Sequence, residues 1–119
     1  MTGTPDNAIG SPALDIAEVP AVEIVLTVAM HLMSAAAVSC GLAEGGPDES
    51  TPEPDLAEAR ILISALAGLV TAAAPQIGSM HAAPLRDGLQ ALQRAFREAS
   101  VIPDAPGMGP GEDLTGPVF

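Results

Sequence analysis

The apolar positions of this chain fall into three long runs separated by polar, turn-rich stretches. The third run has the clearest period. Leu85, Leu89, Leu92, Phe96 and Ala99 recur at three- and four-residue steps, the spacing of one helix face. Arg86, Gln90, Gln93, Arg94 and Arg97 fall away from that stripe. The second run repeats the period through Leu56, Ile63, Leu66 and Val70, with Leu62 and Leu69 alongside. The first, from Ile24 to Ala43, contains no charged residue. The pattern predicts three helices, over about 20–40, 55–74 and 80–99.

Their ends carry recognisable signals. Pro20 suits the first helical position, where no amide donor is needed. Glu18 and Glu23 complement the positive end of the helix dipole, and Gly41 is a natural left-handed stop. Asp55, with Glu58 three residues on, is a variant of the capping box. The second helix is expected to end before Pro75, and the third to begin at about Ser79 or Pro84.

The stretches between and beyond lack any apolar period. Residues 1–18 read as a disordered lead, and the acidic GGPDESTPEPD as an exposed loop. The end of the chain, SVIPDAPGMGPGEDLTGPVF, holds four Pro and four Gly and reads as a flexible tail over 101–119. The expected fold is all-α: a three-helix bundle over 19–100, built as a helical hairpin plus a C-terminal amphipathic helix, with disordered N- and C-terminal tails. There is no Trp or Tyr, and Phe96 and Phe119 are the only aromatic rings. Leu, Ile, Val, Met and Ala must therefore form the core, which at roughly 80 residues is marginal when it stands alone.

Placed at about 100° per residue, the first helix is apolar almost all round. Ile24, Val25, Val28, Leu32 and Leu42 cover one sector, and Leu26, Met30, Met33 and Ala37 another. Glu23, Thr27, His31 and Ser34 form the one polar stripe. The length of the run invites a transmembrane reading. His31 near its middle, its alanines and its lack of basic flanks argue instead for a buried helix with no membrane expected. Two short partner helices cannot cover such a surface, so a homo-oligomeric contact is expected, most simply an isologous dimer. The candidate self-association face is Leu26, Met30, Met33 and Ala37, joined by the small residues Ala65, Gly68 and Ala72 of the second helix.

Charge narrows the partners. Fifteen acids against four Arg and no Lys give a net charge of −11. That field repels phosphate, so no direct nucleic-acid binding is expected, and anionic lipid is equally disfavoured. Cys40 is the only cysteine, which excludes an intrachain disulfide. The N-terminus lacks the basic region of a signal peptide, so the expected compartment is the cytoplasm.

Candidate chemistry is sparse. His31 is expected to be a histidine hydrogen-bonded to a neighbour at a helix interface, since no second metal ligand follows at a recognised spacing. His81 reads as solvated, just ahead of the third helix, and Cys40 as a buried inert thiol at a helix end. The loop acids Asp48, Glu49, Glu53 and Asp55 lack the spacing of a calcium loop. Gly107, Gly109 and Gly111 follow no strand and precede no Lys, so they do not make a phosphate loop. No catalytic, cofactor-binding or metal residue is assigned, no cofactor is expected, and an enzyme is not expected. Arg86, Arg94 and Arg97 form the one locally basic surface, a candidate face for an acidic partner or an RNA backbone, although with Asp87 and Glu98 among them an ordinary solvated face is the commoner reading. The Gly-Pro-Val-Phe ending could serve as a linear motif.

Three segments carry a family resemblance: VPAVEIVLTVAMHLMSAAAVSCGL, PDLAEARILISALAGLV and PLRDGLQALQRAFREAS. Together, over about residues 19–100, they resemble the bacterial family catalogued as domain of unknown function 1844, with a composition similar to that of an actinobacterial member. The resemblance implies no activity and maps no functional residue. Relatives of that type are often encoded near genes for a translation initiation factor and large-subunit ribosomal proteins, which implies a link to translation. The expected function is thus a non-catalytic helical protein-interaction module, partnered by itself as a dimer. The alternative is an accessory factor of translation or the ribosome that contacts a basic protein.

Overall fold

A computed structural model of the chain describes residues 18–42 and 53–119. The expected lead therefore lies outside the described residues up to residue 17, and most of the acidic loop lies outside them as well. Three long helices pack together: α1 (Ala21–Ser39), α2 (Leu56–Ile77) and α3 (Ser79–Ala99). A single turn, α4 (Glu112–Thr115), follows near the C-terminus. There is no strand among the described residues. The all-α bundle of three helices is as the sequence predicts.

The central element is α2, which packs on α1 along one side and on α3 along another, while α1 and α3 touch less. The periodic residues are the reason. Ile63, Leu66 and Val70 of α2 meet Leu85, Leu89, Leu92 and Phe96 of α3 in one buried cluster. The contribution of α1 to full burial is small side chains, Ala29 and Ala36, with Cys40 just past its end. An alanine row lets two helix backbones approach closely, because little side chain stands between them.

The ends of α1 and α2 are tied together. Gly41, at φ +85°, forms the expected left-handed stop. Its amide donates to the Val38 carbonyl, and that of Leu42 to the Ala37 carbonyl, each at 2.9 Å, which is the Schellman pattern. The Asp55 amide donates to the Ser39 carbonyl at 2.8 Å, and Asp55 in turn caps α2 by accepting from the Glu58 amide at 3.2 Å. That is half of the expected capping box. Pro20 stands just outside α1, at its N-cap, rather than inside its first turn.

Three expectations need correction. First, α2 does not stop before Pro75 but runs through it to Ile77. A proline inside a helix removes one hydrogen bond, and packing on both flanks outweighs that loss. The stop is set three residues later by Gly78, whose φ of +86° continues neither helix. Second, α3 begins at Ser79, the earlier of the two starts expected, so His81 lies half-buried in its first turn rather than ahead of the helix. Third, the expected flexible tail has fixed partners. Glu112 is buried, and its Oε1 accepts from the amides of Gly107, at 2.9 Å, and Val118, at 3.2 Å. One carboxylate thereby closes the segment into a loop. Proline rings that fix φ and glycines that supply left-handed turns lower the cost of holding it without regular structure.

Candidate interaction surface

The loop closed by Glu112 docks on the bundle at Gly111. A methyl group added there would lie 2.6 Å from the Ala67 Cβ, so the Gly111 backbone rests directly on the Ala67 methyl. Gln93 lies beneath this contact. Its Nε2 donates to the Pro110 carbonyl at 3.0 Å and to the Thr115 hydroxyl at 3.1 Å. Gln93 is therefore buried, where the sequence placed it on the face turned away from the core. It sits at the edge of the leucine stripe, and the period alone cannot tell solvent from a folded-back segment there. Asp104 is held from two sides. Arg60 Nη2 reaches its carboxylate at 2.8 Å, and Arg97 Nη1 donates to its backbone carbonyl at 2.9 Å.

That last bond changes the basic face. Of Arg86, Arg94 and Arg97, the third is half-buried and bonded to the chain's own backbone, leaving Arg86 and Arg94 exposed. No group of three or more His, Cys, Asp or Glu among the described residues could hold a metal ion. Cys40 is buried and unpaired, and burial pushes its thiol above the ordinary value, so it stays protonated. His31 is exposed, on the outer side of α1, and not at a helix interface inside the bundle as expected.

The structure redraws the self-association face. Leu26, Met33 and Ala37 pack against the core of their own chain. Met33 lies over Gly88 of α3, so close that a methyl group at Gly88 would stand 2.5 Å from its sulfur. Ranking α1 by side-chain size misleads here. The contact row is the two alanines, and the large residues beside them, Leu26 and Met33, follow them inward. Met30 alone of that set is strongly exposed, at 59%. On α2, Ala65 and Ala72 are exposed and Gly68 is half-buried, with open space where its Cβ would be.

What α1 leaves outside is its polar stripe and the apolar residues beside it, while Val25 and Leu32 of the other apolar sector are half-buried. Ile24, Val28, Val38 and Leu42 are 38–54% exposed, with Ala35 and His31 exposed among them. From Ile24 to Leu42 this surface carries no charge. By length and composition α1 and α2 are each apolar enough to cross a membrane, a test that the core helix of a bundle also passes.

No curated protein and no solved structure matches the chain. A family model does, over residues 21–98, which takes in all of α1 and α2 and α3 to within a residue of its end, while the loop closed by Glu112 lies beyond it. The match covers most of the chain, and the protein belongs to the family described as Domain of unknown function (DUF1844).

Proposed function

We propose that this protein is a non-catalytic, cytoplasmic interaction module that associates with a second copy of itself through the outer face of α1. One observation carries the reading: a helix without charge from Ile24 onward fully buries only two alanines of its own, Ala29 and Ala36. Ile24, Val28 and Val38 stay in water at a cost that a partner surface would remove, about 25 cal/mol for each Å² covered. Exposed apolar residues aligned along one helix are where a partner surface would be expected to dock.

Charge limits where a second copy can sit. Two chains of net charge −11 repel each other over most of their surfaces. The α1 strip is the uncharged window through which they can meet. The same balance supports neither an anionic membrane nor nucleic acid as the partner.

Sedimentation equilibrium of the full chain at micromolar concentration tests this. The expected result is a dimer that tightens as salt rises, because screening weakens the repulsion without touching the apolar contact. The double variant Val28→Glu/Val38→Glu, with its helicity checked by circular dichroism, is expected to be monomeric. A wild-type chain that stays monomeric at both low and high salt overturns the proposal.

A further inference from the structure

Within the exposed side of α1, which also holds Glu23, Thr27, Met30 and Ser34, one row stands out. Ile24, Val28, His31, Ala35 and Val38 follow one another along it at alternating steps of four and three residues, and Leu42 continues the series. That is the heptad spacing of a coiled-coil seam, narrower than the stripe of a helix buried in a bundle. The inward face, centred on Ala29 and Ala36, lies on the opposite side and is already used. So α1 carries two apolar faces, and the outer one has a spacing suited to one further helix.

The order of residues along the seam has its own symmetry. Taken in pairs equidistant from Met33, Ile24 matches Leu42, Val28 matches Val38 and His31 matches Ala35. We infer that two copies pair antiparallel along this seam, with Val28 of each against Val38 of the other. The inference rests on the self-association proposed above and adds its direction and register.

Side-chain size and charge favour this arrangement. Antiparallel pairing sets each imidazole against Ala35, the smallest side chain in the seam, and leaves the isopropyl groups of Val28 and Val38 to fill one layer. A parallel pair would stack His31 on His31 and bring both Glu23 carboxylates to the same end. Opposed helix dipoles also attract where aligned ones repel. Leu42 lies past the helix, but the two Schellman hydrogen bonds at Gly41 hold its backbone in place to cover Ile24 of the second copy. An isologous pair of this kind closes on itself and does not extend into a filament. A register shifted to put Val28 against His31 would oppose two bulky groups and leave Leu42 uncovered.

The test maps the register by cross-linking. In the full chain with Cys40→Ala, single cysteines are placed as Val28→Cys and Val38→Cys, and the two proteins are mixed and gently oxidised. The expected product is the mixed 28–38 disulfide, with little of either homodisulfide from the separate proteins. Dominant homodisulfides indicate a parallel pair, and preferential linking of Ile24→Cys to Ala35→Cys indicates the shifted register. Either result overturns the inference while the proposed self-association stands. A chain that sediments as a monomer overturns both, as does one that stays uncrosslinked but partitions onto neutral phosphatidylcholine vesicles. A second set of variants tests complementarity without cysteines. Ala35→His alone places imidazole against imidazole and is expected to weaken the dimer about tenfold. The exchange His31→Ala/Ala35→His restores the pairing of large with small, and with it the affinity. An Ala35→His chain that dimerises as tightly as wild type overturns the inference.

Discussion

The helices α1 and α3 are of similar length and put opposite compositions to use. The more apolar of the two is α1, yet it fully buries only two alanines. Despite its charged outer face, α3 buries Ala82, Leu85, Leu89, Leu92, Gln93 and Phe96. The difference lies in period, not in total hydrophobicity. The leucines and Phe96 of α3 form one narrow stripe, which is buried against the neighbouring helices. Those of α1 surround the helix, and one bundle can use only the side it touches. A surplus left over in this way is available for a second contact, and a stripe fully spent is not.

Truncations on the two helices should break that comparison most sharply. Leu89 is 2% exposed at the centre of the core. Leu89→Ala is expected to cost about 3 kcal/mol, from lost transfer energy and the cavity left behind. Val28→Ala, on the outer face of α1, should change monomer stability by less than about 0.5 kcal/mol. Urea denaturation at submicromolar concentration, where association does not contribute, measures both. Comparable losses would mean that α1 is covered within its own chain.

Next in size is the docking of the C-terminal loop. Gly111 has φ +77° and no room for a side chain against Ala67. Gly111→Ala combines left-handed strain with that collision and should cost about 2 kcal/mol. Hydrogen exchange should show the loss of protection concentrated at the amides of Gly107 and Val118, which bond Glu112. Uniform loss across all three helices would show that the loop is an inseparable part of the core.

These two cases also show what the sequence could reveal. The stripe of α3 and the residues Ile63, Leu66 and Val70 were legible, because each is repeated evidence for one face. The caps at Asp55 and Gly41 were legible, because few residue types serve there. The inward side of α1 was not, since an all-round apolar helix carries no phase. Only the Ala29–Ala36 row and the slot at Gly88 fix it, and both depend on what lies opposite. The folded-back C-terminus was hidden for a related reason. Its order comes from single side-chain bonds, at Glu112 within the loop and at Gln93 across to the bundle, which leave no period behind. The outer row of α1 lies between these extremes: its heptad spacing is in the sequence, but that this side of the helix faces out is not.

Capping gives a smaller effect that sharpens the contrast between the helix starts. On α2, the Asp55 carboxylate accepts from the Glu58 amide; α1 begins at Pro20 with no side-chain cap. Asp55→Ala is expected to cost about 1 kcal/mol by thermal denaturation. Pro20→Ala should cost less, as no cap is lost. A larger effect at Pro20 would show that the start of α1 is held more firmly than its sparse burial implies.

The smallest effect expected is at Arg60, the one residue that ties α2, α3 and the C-terminal loop together from the surface. Its guanidinium pairs with Asp104 at 2.8 Å and lies 5.0 Å from the centre of the Phe96 ring. Both interactions are weakened by water, since the Arg60 side chain is 46% exposed. Arg60→Ala should therefore cost only about 0.5 kcal/mol, and less in high salt. Arg60→Lys keeps the charge but loses the flat contact with the ring. If the ion pair dominates, Lys restores most of the stability at low salt. If the stacking dominates, Lys behaves like Ala at any salt, and the stabilisation belongs to the apolar edge of α3 at Phe96. That second outcome would extend the lesson of α3 to its rim, where even a charged residue is held by the stripe it covers.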